Sequence, residues 1–175
     1  VQELLDKYAQ DAYAGADLHF IGTLQTNKVK YLMGKVSLIQ SVGSEKLGRC
    51  IAKEAQKYGI CQNVLLEVNI GEETAKSGLR PEVLETTIEQ LCTLSGIRIR
   101  GLMAIPPIAH AHGENLRYFD RMRQLFIDIS EKRYDNVSMD YLSMGMSGDF
   151  EDAISCGANM VRIGTSIFGL RPYMR

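Results

Sequence analysis

The residues with the clearest chemical potential lie close together near the end of the chain, in LSMGMSGDFEDAISCGANMVRIGTSIFG. Ser147 and Gly148 follow one apolar run and open a short helical pattern, while Gly164, Thr165 and Ser166 follow another. Two turns of this composition direct backbone N–H groups and hydroxyls at one anion, and a helix N-terminus adds partial positive charge. The competing reading is that Gly145, Gly148 and Gly164 only make tight turns. Arg162 shifts the balance toward a site. It sits between Val161 and Ile163, so in a strand its side chain points to the opposite face from theirs. If that face is a barrel interior, the guanidinium needs an anionic or acceptor partner, either a buried acid such as Glu67 or a ligand atom.

Other motifs fail on inspection. The G-M-S-G-D at Gly145 lacks the second glycine of a G-x-S-x-G nucleophile elbow, and no histidine follows it as that hydrolase order requires. The loop from Gly71 to Ser77 resembles a P-loop but lacks the glycine before Lys76. Glu72 and Glu73 are adjacent in that loop and read as solvated acids, not as a matched acid and base. His110 and His112 form an H-x-H pair without further ligands nearby, so no metal site is expected.

The elements that must position these residues alternate along the chain. Strand candidates are His19–Gly22, Leu38–Val42, Val64–Ile70, Ile99–Ile105, Tyr141–Met146 and Met160–Gly164. Helical patterns fall between them. Ser44 can cap a helix with Leu47, Cys50, Ile51, Ala55 and Tyr58 on one side, closed by Gly59. Pro81 suits the first turn of the next, which buries Leu84, Ile88 and Leu91. A third runs from about Leu116 to Lys132 with Phe119, Met122, Leu125, Phe126 and Ile129 inward, and a shorter one spans Phe150 to Cys156. Alternation of this kind implies parallel strands covered by helices, in a doubly wound sheet or a (β/α) barrel, with chemistry at the carboxyl ends of the strands.

Composition agrees with one soluble domain over residues 1–175. The chain has 175 residues, 20 basic against 21 acidic side chains and 45% hydrophobic residues. Near-neutral charge argues against a nucleic-acid or acidic-membrane binder. No apolar run is long enough for a transmembrane span, and no signal peptide is evident, since Val1 to Lys7 reads as helix. Four scattered cysteines, Cys50, Cys61, Cys92 and Cys156, point to a reducing compartment, and the expected location is cytoplasmic.

The segments HFIGTLQTNK, IQSVGS, EVNIGEETAKSGL, GLMAIPP, YFDRMRQLF, LSMGMSGDFEDAI and VRIGTSIFG closely resemble the YggS/PROSC family of pyridoxal 5′-phosphate (PLP) homeostasis proteins. That family is similar to the barrel domain of alanine racemase. The resemblance spans essentially the whole chain and implies an α/β fold, a TIM-type (β/α) barrel of PLP fold type III. It also implies a cytosolic PLP-binding protein without catalytic turnover. Carried over by position, Ser147 matches the serine that hydrogen-bonds the phosphate, and Gly164 and Thr165 match the donors on its other side. Arg162 matches the arginine facing the pyridine nitrogen, which keeps that nitrogen unprotonated and weakens the ring as an electron sink. Met144 and Met103 would line the ring pocket, although methionines often serve only as packing. His19 and Asn27 match motif positions to which the chemistry of the residues assigns no role.

Two departures from the family pattern stand out. Gly43 occupies a position where relatives usually carry aspartate, so the SVGS turn is expected to lack a polar contact. The family's Schiff-base lysine belongs to a first strand upstream of the V-Q-E-L segment, which here is residue 1. None of the six strand ends carries a lysine: Lys28, Lys30 and Lys35 are assigned to a helix and Lys76 to a loop. A closed barrel needs eight strands, so the fold is expected to be incomplete, with about six βα units. The expectation is an incomplete version of a normal family member that binds PLP weakly and non-covalently, or takes phosphate or sulfate instead. Exposed sheet edges would favour dimerisation or swapping over the monomer expected of the family. Three alternatives stand beside this one: a PLP-dependent racemase or lyase, a PLP-independent barrel enzyme on a phosphorylated substrate, and a partial fold without a ligand. For the second of these, only Glu67 and Asn69 among the strand ends supply the polar groups it would need.

Overall fold

The computed structural model describes residues 1–74, 76–109 and 111–169. Six parallel strands form one sheet in simple sequential order: β1 (His19–Phe20), β2 (Leu38–Val42), β3 (Gln62–Val68), β4 (Ile97–Ala104), β5 (Val137–Met146) and β6 (Met160–Arg162). Helix α1 (Gln2–Ala9) precedes the sheet, and a short 3-10 helix (Thr26–Tyr31) follows β1. The later crossovers are α2 (Glu45–Lys57), α3 (Pro81–Leu91), α4 (Leu116–Ser130) and α5 (Phe150–Ser155), with a last turn, α6 (Thr165–Phe168), after β6.

Local sequence accounts for the helices. Ser44 accepts the Leu47 N–H on its hydroxyl at 3.2 Å and caps α2, whose buried Leu47, Ile51, Ala52 and Ala55 recur at helical spacing. Pro81 stands at the start of α3, where its missing N–H costs nothing, and Leu84, Ile88 and Leu91 turn inward. In α4 the expected stripe narrows: Phe119, Met122 and Ile129 are buried, whereas Leu125 and Phe126 are half-buried at its margin. Of the expected helical lysines, Lys28 and Lys30 lie in the 3-10 helix, and Lys35 falls in the turn beyond it.

The sheet separates two cores. Ile39, Leu66, Leu102 and Leu142 face the helices and pack with Ile51, Ile88 and Phe119 in the larger cluster. Leu38, Leu65 and Met103 face the other way, with Ile105, Tyr141 and Met160 beside them. Register shifts interrupt four of the five strand pairings, and such irregularities bend and twist a sheet. One of them lies at Gly101, at φ 142°, where a Cβ would stand 1.9 Å from the Tyr141 carbonyl oxygen, so only glycine fits. The result is a strong curl. Gln40 of β2 reaches Ser143 of β5 and Met160 of β6 across the concave side, which makes the six strands a half-barrel.

Candidate functional site

The carboxyl ends of β5 and β6 bring the two sequence-predicted turns together. Ser147 Oγ accepts the backbone N–H of Gly164 at 3.1 Å and of Ser166 at 3.3 Å. Ser166, not the Thr165 hydroxyl, supplies the second donor in this arrangement, and Thr165 is exposed at the start of α6. The cradle is open: a Cβ on Gly148 or Gly164 would meet nothing within 4 Å. With both lone pairs of Ser147 Oγ taken by N–H groups, its own proton is the donor left for an oxygen of a phosphate ester in the open space beside it.

The turn that carries Ser147 is held by residues without a recognisable motif. Asp149 accepts the Met146 N–H at 2.8 Å and the Asn115 side-chain amide at 2.8 Å. Asn115 is buried and also donates to the Pro107 carbonyl at 3.0 Å, linking the loop after β4 to the turn after β5. Asp152 of α5 accepts the Gly113 N–H at 2.8 Å and faces His112 at 3.2 Å, fixing the same loop from below. Of the H-x-H pair, His110 lies outside the described residues. No group of three or more potential metal ligands is found among those described.

Arg162 occupies the concave face, as its parity in the strand requires. Its Nη1 donates to Ser143 Oγ at 2.6 Å and its Nη2 to the Ala104 carbonyl at 2.8 Å. The anticipated need for an acceptor is therefore met by a hydroxyl and a main-chain oxygen; Glu67 acts on it only at longer range. Burial lowers the Arg162 pKa to about 10, partly opposed by the negative charges of Asp149 and Glu67. Glu67 is itself pushed above the usual carboxylate value by burial, while a Ser77 hydroxyl bond at 2.8 Å and the Arg162 charge pull the other way.

The two methionines separate. Met103 is fully buried in the concave cluster, whereas Met144 is fully buried among the helix-facing residues. The expectation that Met144 lines the same pocket as Met103 is corrected by strand alternation: Tyr141 and Ser143 face inward, so Leu142 and Met144 face out. His19 gains a position, with Nδ1 3.1 Å from Gln40 Nε2 on the concave face. Asn27 is exposed on the 3-10 helix.

Gly43 is also explained. A Cβ there would lie 2.9 Å from Gly78 N and 3.4 Å from Glu67 Oε2, so a side-chain carboxylate would crowd an existing one. Asn69 does not face a ligand space; it ties its own loop, donating to Glu73 O at 2.8 Å and accepting the Glu73 N–H at 3.2 Å. The loop's charged residues are paired: Glu72 with Arg121 at 2.6 Å, and Lys76 with Glu73 and, at 3.3 Å, the Pro106 carbonyl.

A curled sheet of six parallel strands, each followed by a helix or helical turn, is the architecture of an incomplete (β/α) barrel, and comparison with known proteins agrees. The family described as alanine racemase, N-terminal domain, matches residues 5–172. Alanine racemase of Clostridium difficile 630 aligns with a TM-score of 0.70 over 99% of this chain and 44% of its own, at 15% identity, a likeness of fold alone. The chain belongs to the pyridoxal phosphate homeostasis protein family. The relative from Aquifex aeolicus is 47% identical over 99% of this chain and 75% of its own length, and that from Pseudomonas aeruginosa 38% identical over 99% and 73%. PipY of Synechococcus elongatus PCC7942, solved with PLP bound, aligns with a TM-score of 0.85 at 29% identity, covering 96% of this chain and 78% of that one.

Proposed function

We propose that this chain holds PLP as a non-covalent carrier without turning over a substrate. The phosphate is received by the Ser147 hydroxyl, at the turn that the Gly164 and Ser166 N–H groups hold, with Thr165 beside it; Arg162 lies on the ring side, with Met103 in the buried floor beneath. When bound, PLP supplies an aldehyde and an electron-withdrawing ring. A guanidinium at the ring nitrogen, in place of an acid, leaves that ring a weaker electron sink. Arg162 suits this role because Ser143 and Ala104 fix two of its nitrogens. The names of the relatives and the PLP bound in PipY support the ligand.

The observation that carries the reading is the convergence of two strand-end turns on Ser147 Oγ. Calorimetry with pyridoxine 5′-phosphate, which has no aldehyde, isolates this grip from any covalent attachment. Saturable binding is expected, weakened about tenfold by Ser147→Ala, the scale of one hydrogen bond to a charged group. Equal affinity in the variant would defeat the assignment. Borohydride treatment after PLP exposure should leave no single lysine fully modified by mass mapping. One defined, stoichiometric site would defeat the non-covalent reading.

A further inference from the structure

The concave face carries a polar string that the phosphate cradle does not use. It runs from His19 on β1 through Gln40 on β2 and Ser143 on β5 to Arg162 on β6. Its directions are set by elementary chemistry. Arg162 Nη1 can only donate, so Ser143 Oγ accepts at 2.6 Å. The single Ser143 proton then goes to Gln40 Oε1 at 2.7 Å. That fixes the amide: Nε2 points to His19 Nδ1 at 3.1 Å and to Met160 Sδ at 3.3 Å, and His19 Nδ1 must present a lone pair. Ser143 has no exposed surface and Gln40 only 2%, so water cannot replace either of these two middle members of the chain.

We infer that Gln40 is a positioning residue for Arg162, acting through Ser143 across the width of the half-barrel. Without the amide oxygen, the Ser143 hydroxyl proton loses its acceptor, and the side chain is no longer held in the orientation that presents its lone pair to Nη1. The Nη1 bond is then loosened, and the Ala104 carbonyl is the fixed partner that Arg162 keeps. What Gln40 must supply is an acceptor, so Gln40→Glu preserves the device while Gln40→Leu and the longer, flexible Gln40→Met abolish it. Ser143→Ala breaks the same link from the middle.

The inference takes its functional meaning from the proposed ring-facing role of Arg162, but its test reads the guanidinium itself. In ¹⁵N-labelled chain without ligand, the Arg162 side-chain signals are assigned by their absence in Arg162→Lys. Rotation about the Nε–Cζ bond should be slow in the parent chain and in Gln40→Glu. In Gln40→Leu, Gln40→Met and Ser143→Ala it should be faster by at least about tenfold, the rate equivalent of one lost hydrogen bond to a charged group. Backbone amide spectra show which variants fold, and one folded acceptor-free variant suffices. Unchanged Arg162 rotation in that variant, or equal acceleration in Gln40→Glu, overturns the inference. Pyridoxine 5′-phosphate titration of the same samples separates the two proposals. Absent binding with a Gln40-dependent guanidinium condemns the ligand reading alone, and normal binding with a Gln40-independent guanidinium condemns the positioning role alone.

Discussion

The two faces of the sheet are built on different physics. The helix-facing side is an apolar jigsaw, with Ile39, Leu66, Ile88 and Phe119 essentially free of solvent contact. The concave side has only a small apolar floor around Leu65 and Met103, and above it polar groups bonded to one another: Gln40, Ser143 and Arg162. The first kind of surface supplies stability in proportion to the area it buries. The second contributes little net stability, because each bond there mainly offsets the desolvation of its own partners. What it provides instead is a fixed arrangement of donors and acceptors across the concave face.

This contrast can be broken by substitution. The largest effect is expected on the outer face, where Phe119→Ala removes a fully buried ring and should cost about 3–5 kcal/mol in urea unfolding. A loss below about 1 kcal/mol would mean the outer core is not the main source of stability. On the concave face Ser143→Ala strands Gln40 and Arg162 together and should cost about 1–3 kcal/mol by the same measurement. A cost equal to that of Phe119→Ala would erase the distinction between the faces.

Glu67 sharpens the comparison through pH. Its folded-state pKa lies above the unfolded value, so its contribution is fully present below the unfolded pKa and is lost as pH rises through the folded one. Glu67→Gln removes that titration while keeping an acceptor for Ser77. The stability of Glu67→Gln relative to the parent should therefore grow as pH rises from about 4 toward neutrality, near the ordinary carboxylate range. A pH-independent difference in unfolding free energy would show that burial does not govern this carboxyl. The smallest effect on stability belongs to Ser147→Ala, within about 0.5 kcal/mol, because the hydroxyl sits at the half-exposed rim. A substantial loss there would make the cradle part of the folding core and not a site added to it.

Much of this was legible before any coordinates. The six strands fall within a few residues of their expected positions, because apolar runs between capped, amphipathic helices leave few other assignments. Ser44, Pro81 and Gly59 marked helix ends by local rules that operate without tertiary context. The meeting of Ser147 with Gly164 was likewise anticipated from strand-end composition. Which face each β5 residue takes was not, since strands covered on both sides show no alternation of polar and apolar residues. Met144 was misplaced for that reason. Asn115, Gln40 and Ser143 carry no motif at all; a buried polar residue in a strand is informative only once its partner three strands away is known.

The order of elements, their capping and the chemistry of the two closing turns follow from near-neighbour rules, and so the sequence by itself determined them. The curl of the sheet and the path of hydrogen bonds from His19 to Arg162 were decided only by the tertiary structure. The reason is physical. Gln40 and Ser143 are 103 residues apart, and the bond between them exists only when bulged strands bring opposite walls of the half-barrel within reach.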